Sequence, residues 1–312
     1  MQEYAVVYLI RRLAMTKTPI FKGCCTAIVT PFTADGIDYM KMGELIDFQY
    51  DNGVSALVVC GTTGENATMT QYEHEEMIDF ACTHNNGRMK IIAGVGSNNT
   101  EKALKLAKCS KHFGADGILM VTPYYNKTSQ KGLVEHFTYV ADRIDIPMIL
   151  YNVPSRTGIG ISAQTYAELS NHPNINGIKE ASGDFSLIAK TRAMCGDSLN
   201  IWSGNDDNTV PMMALGALGV ISVASNIVPA VVSKLCTLCL NGSFSEAEEL
   251  FCRYSALFSV LFIETNPMPV KAAMKLMGLD SGKVRLPLTE ISDSSKSKLI
   301  QELISSGLSI KE

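Results

Sequence analysis

No apolar run in this 312-residue chain is long enough to cross a bilayer, so a helical membrane span is not expected. No sign of charge dominates either. The net charge of −4 leaves a weakly acidic surface, which argues against nucleic acid or an anionic membrane as the main partner. There is no even, regularly spaced set of cysteines: the nine present are scattered, which fits reduced thiols in a cytoplasmic protein better than a disulfide framework. The one CxxC, Cys236–Cys239, sits in a helical pattern without a second pair or a nearby histidine, so it reads as core cysteine and no metal site is expected. Low-complexity tracts, coiled-coil heptads and sequence repeats are absent. No GxGxxG follows the first strand pattern, which removes the usual sign of a dinucleotide fold. The N-terminus has six apolar residues, Ala5 to Ile10, followed by Arg11 and Arg12, which reverses the order of a secretory signal. Met15 reads as the natural start and residues 1–14 as an upstream extension.

What is present is an alternation. Short β-branched runs fall at Gly23–Val29, Ser55–Cys60, Lys90–Gly94, Gly117–Val121, Pro147–Tyr151, Ile175–Lys179, Leu199–Ser203 and Gly219–Val223. Helical patterns lie between them, among them Met40–Asp51, Gln71–Cys82, Thr100–Phe113, Gly132–Ile144 and Ala163–Ser170, with apolar residues at three- and four-residue spacing. The strands are almost continuously apolar, as when a parallel sheet is buried on both faces. Eight strands, each followed by a crossover, select an α/β fold of the closed (β/α)₈ TIM-barrel type over an open doubly wound sheet. Beyond Ser225 the strands stop. Pro229–Leu240, Phe244–Ile263, Met268–Met277 and Ser294–Ser305 read as helices, with a turn at Glu264–Pro269. The expected division is an extension over residues 1–20, poorly ordered; a barrel over 21–241; and a C-terminal helical appendage over 242–312.

Chemistry in such a barrel belongs at the C-terminal strand ends. Four segments place unusual polar groups there. Gly61-Thr62-Thr63-Gly64-Glu65 follows the second strand; its glycines permit a tight turn, and successive N–H groups there could cradle an anion. Taken alone, it is more often a plain βα turn. Tyr124-Tyr125 follows the fourth strand, where paired tyrosines usually pack or line an interface. Tyr151 to Arg156 follows the fifth and offers a phenol for acid–base work and a guanidinium able to grip a carboxylate in two-pronged fashion; a lone arginine is more commonly a surface ion pair. Lys179 ends the sixth strand after the apolar run from Ile175 to Ile178. A buried amine is costly unless neutral or paired, and a neutral amine is a nucleophile towards carbonyl carbon. A single such lysine more often snorkels to solvent. The concentration of all four segments at one end of one barrel shifts the balance towards a site.

These segments, with TAIVTPF, ALVVCGTTGENATMTQYE, VTPYYNK, YNVPSRTG, GIKEASGD, GVISVASN, NPMPVK and RLPL, resemble the dihydrodipicolinate synthase family, a branch of the N-acetylneuraminate lyase group of pyruvate-dependent aldolases. The match runs from about Phe21 to Leu308. The resemblance implies a lyase of the class I aldolase type. Lys179 would form a Schiff base with pyruvate, with no cofactor beyond that covalent imine. The N–H groups of Thr62 and Thr63 would hold the pyruvate carboxylate. Tyr151, the Thr63 hydroxyl and Tyr125 would relay protons, the Tyr125 equivalent reaching in from a neighbouring subunit of a homotetramer built as a dimer of dimers. Arg156 would bind the carboxylate of aspartate semialdehyde, and the Ile221 carbonyl would face the site. The implied reaction is the condensation that opens lysine and diaminopimelate biosynthesis.

Two other readings compete. A sugar-acid aldolase of the same group would share Lys179, Tyr151 and GTTGE but generally lacks arginine at position 156, and SRTG is intact here. A barrel that only binds ligand would be expected to have lost Lys179 or Tyr151. Members of the family inhibited by lysine use positions matching Asn66, Ala67, Gln71, His74, Asn98, Lys102 and Tyr124. They carry histidine at position 71 and glutamate at position 102, so Gln71 and Lys102 imply insensitivity to lysine.

Overall fold

The computed structural model describes residues 16–311, and the reading of residues 1–14 as an extension lies outside them. Eight strands run β1 (Gly23–Ala27), β2 (Ala56–Val59), β3 (Lys90–Gly94), β4 (Gly117–Val121), β5 (Met148–Asn152), β6 (Ile175–Glu180), β7 (Asn200–Ser203) and β8 (Gly219–Ser222). They pair in chain order as a closed parallel barrel, β8 returning to β1 with Ile221 opposite Cys25. Every strand matches its sequence expectation to within two residues at either end. The helices are α1 (Tyr39–Asp51), α2 (Gln71–Asn85), α3 (Thr100–His112), α4 (Gln130–Ala141), α5 (Pro154–Thr157), α6 (Ala163–Leu169), α7 (Phe185–Cys195), α8 (Thr209–Ala214), α9 (Pro229–Leu240), α10 (Phe244–Val260), α11 (Met268–Met277) and α12 (Asp293–Ser305). Seven of these helices start at a side-chain cap. Thr70 and Glu73 form a reciprocal capping box on α2, and Ser129 accepts from Gly132 N–H, which opens α4 two residues earlier than the apolar pattern indicates.

Two shells of apolar side chains result from the period of two along each strand. The larger lies between sheet and helices. The smaller fills the barrel and includes Cys25, Ala27, Ala56, Val58, Ile92, Leu119, Ile149, Tyr151, Trp202 and Ile221. Trp202 is fully buried and stacks on Phe21, ring centroids 4.8 Å apart. The last residues of the expected extension are tied to the barrel: buried Lys17 donates from Nζ to the carbonyls of Ser170, His172 and Ile175 at 2.7, 2.8 and 2.7 Å. Among the described residues no helix is long and apolar enough to cross a membrane.

Beyond α9, the chain leaves the barrel wall. Helix α12 packs against α10 and α11, while α11 sits over the loops at the C-terminal end of the barrel. Lys271 on α11 reaches the loop after β1, where its ammonium donates to Thr30 O at 2.7 Å. The appendage therefore covers one side of the strand ends that carry the polar segments.

Candidate active site

Lys179 belongs to the same inward-facing row of β6 as Gly177 and Ala181, so its side chain enters the barrel. In register it lies between Tyr151 on β5 and Trp202 on β7. It is 5% exposed, and its Nζ stands 4.4 Å from the centroid of the Tyr151 ring. Among the described residues it donates no hydrogen bond and has no ion-pair partner. A buried amine with neither a hydrogen bond nor an ion pair is a candidate nucleophile towards a carbonyl carbon. Gly204 makes the space: a Cβ there would lie 2.6 Å from Ala181 Cβ and 3.2 Å from Lys179 Cε. Tyr151 is buried and lines a cleft with Thr62, Gly94, Leu119 and Val121. Gly94 lets the loop after β2 approach, since a Cβ on it would fall 2.3 Å from the Cys60 carbonyl oxygen.

That loop is the GTTGE segment. Among the described residues the N–H groups of Thr62 and Thr63 donate to no protein acceptor. Two adjacent free N–H groups at a cleft fit a carboxylate. The far end of the loop is anchored by Glu65, buried and held at φ 57°. One Glu65 carboxylate oxygen accepts from Lys271 Nζ at 2.8 Å, and the other from Arg285 N–H at 3.0 Å. Thr63 is 2% exposed, and its hydroxyl accepts from Asn266 Nδ2 at 3.0 Å. Arg156 is exposed at the rim on α5, where its guanidinium donates to the Asn266 carbonyl at 3.2 Å. Ile221 belongs to the interior shell beside Cys25.

Tyr125 stands apart from this group. It is 91% exposed, and its φ of 68° places a bulky residue in the left-handed region. Among the described residues no hydrogen bond joins the hydroxyls of Thr63, Tyr151 and Tyr125 within one chain. The structure thus brings together Lys179, Tyr151, Thr62, Thr63 and Ile221 around the barrel mouth, with Arg156 at its edge, and leaves Tyr125 outside.

The chain matches the family model described as "Dihydrodipicolinate synthetase family" over residues 20–305. The chain belongs to that family. A 4-hydroxy-tetrahydrodipicolinate synthase from Thermoanaerobacter sp. (strain X514) is 49% identical over 291 residues, 93% of this chain and 98% of the relative. The crystal structure of dihydrodipicolinate synthase from Aquifex aeolicus superposes with a TM-score of 0.92 at 47% identity, covering 94% of this chain and 100% of that one. The chloride-inhibited dihydrodipicolinate synthase from Acinetobacter baumannii, solved in complex with pyruvate, does so with a TM-score of 0.90 at 38% identity, covering 92% and 99%.

Beside the residues expected from its sequence, this member of the dihydrodipicolinate synthetase family carries four buried polar residues to which the sequence alone gives no role. Asn152 and Glu180, which immediately follow Tyr151 and Lys179, meet on the outer face of the sheet. The Glu180 carboxylate accepts from Asn152 Nδ2 at 3.1 and 3.0 Å and from the Tyr166 hydroxyl at 2.7 Å. The Asn152–Glu180 contact ties the ends of β5 and β6 one residue beyond the facing pair Tyr151 and Lys179. Asp206, after β7, accepts from Val223 and Ala224 N–H, both at 3.0 Å, and binds the end of β8; burial raises its carboxyl above the usual range even so. Lys271 has no exposed side-chain surface. Glu180, beside an apolar strand, and Lys271, one turn into an apolar helix, break the pattern around them and could have been marked by it; Asp206, three residues beyond the end of β7, carries no such local sign.

Proposed function

We propose that Lys179 carries the reaction of this lyase, the condensation of pyruvate with L-aspartate 4-semialdehyde to 4-hydroxy-tetrahydrodipicolinate, which opens lysine and diaminopimelate biosynthesis. The observation that carries the assignment is the buried, unpaired amine over the ring of Tyr151, which shares a cleft with Thr62. Lys179 Nζ attacks C2 of pyruvate, water leaves, and an imine forms. The imine withdraws electrons, so a C3 proton can depart and give an enamine. Tyr151 and Thr63 carry the protons, with Tyr125 supplied by a second copy of the chain. The enamine carbon then attacks the aldehyde carbon of the second substrate, whose carboxylate Arg156 grips. Attack by the substrate amine on C2 closes the ring and frees Lys179. Thr62 and Thr63 N–H groups hold the pyruvate carboxylate throughout, and the Ile221 carbonyl faces the reacting carbons.

The working form in this proposal is a homotetramer, two tight dimers each completing its partner's site through Tyr125; the exposed, left-handed Tyr125 supports it, because such a conformation needs something to stabilise it. The nine free cysteines support a cytoplasmic location. The chemistry needs no cofactor beyond the imine. Borohydride reduction in the presence of pyruvate, followed by peptide mass analysis, tests the assignment: a reduced pyruvyl adduct on Lys179 is expected, and an adduct on another lysine refutes it. Turnover with aspartate semialdehyde in a coupled assay tests the acceptor.

A further inference from the structure

The C-terminal appendage contributes a side chain to the barrel mouth, and its geometry constrains where a proton can sit. Asn266, in the turn before α11, is 5% exposed. Its side-chain amide donates to the Thr63 hydroxyl oxygen at 3.0 Å, while its backbone carbonyl receives Arg156 at 3.2 Å. Its Oδ1 is buried and has no partner among the described residues. A hydroxyl has one proton to give and two lone pairs. An amide NH₂ can only donate, so Thr63 must accept on that side and send its own proton along another direction. Without this contact the Thr63 hydroxyl could turn its proton towards the appendage and drop out of any proton path through the cleft.

We infer that Asn266 is a positioning residue that sets the polarity of the Thr63 hydroxyl, making it a donor towards the Tyr151 side of the site. The inference rests on the assignment of Thr63 to the proton relay. The appendage is braced for this task. Lys271, on α11 just beyond Asn266, is locked to Thr30 and Glu65 on the barrel side, at 2.7 and 2.8 Å. Asn266 therefore meets Thr63 from a fixed frame. The same residue serves Arg156 through its main chain alone, so changes to the Asn266 side chain separate the two effects.

Asn266→Asp tests the idea. A carboxylate of nearly the same shape can only accept, which forces the Thr63 proton to the wrong side. The variant should keep its fold by circular dichroism and thermal midpoint, and should still be trapped by borohydride with pyruvate at Lys179. Exchange of the pyruvate methyl protons in D₂O and kcat should both fall by roughly tenfold or more, bounded above by the ~10²–10⁴-fold that a general acid–base group itself contributes. KM for aspartate semialdehyde should stay within about twofold, because Arg156 keeps its carbonyl. The defect should narrow as pH is lowered, since a protonated aspartic acid can again donate. Asn266→Ala, which removes the donor without adding charge, should also slow exchange, and it stands in if the aspartate variant does not fold. Thr63→Val is the control on the underlying assignment. If Thr63→Val retains exchange and turnover, Thr63 is not in the relay and the inference falls with it. If Thr63→Val is inactive while the Asn266 variants exchange at the parent rate, the relay stands and the role given to Asn266 is wrong.

Discussion

Lys271→Met would remove an ammonium that has no exposed surface and three partners: Glu65 Oε1 at 2.8 Å, Thr30 O at 2.7 Å and the Phe32 ring, its centroid 4.5 Å away. Burial lowers the basicity of Lys271 and the Glu65 carboxylate opposes that shift, so the pair is a compensated one. Methionine fills most of the volume, and the cost is therefore mainly the charge left behind on Glu65. Breaking one side of a buried ion pair costs about 3–5 kcal/mol. For a chain of this size each kcal/mol lowers the melting midpoint by roughly 2 °C, so a fall of about 6–10 °C is expected by differential scanning fluorimetry. The effect should reach function, because Glu65 ends the segment that carries Thr62 and Thr63. KM for pyruvate should rise several-fold in the coupled assay while the Lys179 adduct still forms at saturating pyruvate. The double change Lys271→Met with Glu65→Gln leaves no unpaired charge and keeps an acceptor for the Arg285 N–H, so it should recover at least half of the lost midpoint. A midpoint within 2 °C of the parent for Lys271→Met, or a double variant worse than the sum of the singles, would refute the argument.

Lys179→Arg should abolish borohydride trapping and lower turnover by orders of magnitude, because guanidinium stays charged near neutral pH. Arg156→Ala should raise KM for aspartate semialdehyde yet leave imine formation with pyruvate nearly intact, losing roughly 2–5 kcal/mol of carboxylate recognition; equal damage to both half-reactions would point to a structural role at the Asn266 carbonyl. Tyr125→Phe mixed with a Lys179-defective variant should regain activity in hybrid dimers, and a fully active monomer in sedimentation would contradict the shared site. Lysine at millimolar concentration should not inhibit: Lys102 puts a cation where regulated members of the family carry glutamate, a repulsion of ~4 kcal/mol for unit charges at about 4 Å and an effective dielectric of 20. The adjacent Glu101 is already engaged, accepting from the Tyr139 hydroxyl at 2.6 Å, so half-maximal inhibition below a millimolar would show that another anion receives the effector.

The barrel was legible because its signal is repeated eight times. Each strand is a short, nearly unbroken apolar run, and two-sided burial demands that composition irrespective of neighbours. The helices were less uniform. Residues 185–195 and 209–214 carry no clear helical pattern in the sequence. In α7 the buried residues are Ile188, Thr191 and Cys195, so the inward stripe is narrow and one of its members is polar. Helix α8 is six residues with Pro211 near its start, too short for a periodic pattern to emerge. Both are held by the elements around them rather than by their own pattern.

The site divides along a similar line. Lys179, Tyr151 and the GTTGE segment are each written into a strand end, so position along the chain almost determines position in space. Asn266 and Lys271 are separated from the residues they hold by 203 and 206 positions, and nothing local in NPMPVK names those partners. The turn expected at Glu264–Pro269 is there, but its role is to hold an amide against Thr63 and a carbonyl against Arg156. A lysine one turn into an apolar helix violates the pattern of that helix, and such violations are where long-range contacts concentrate. Lys271 is wholly buried within α11, whose other inward residues are Pro269, Val270, Ala273 and Met274. The amphipathic rule would have turned it to solvent. What keeps it inside is an anion and a carbonyl that only the closed barrel assembles, so the appendage is docked by the same residues that shape the mouth of the site, and the anchoring of the GTTGE segment becomes a consequence of folding the last seventy residues correctly.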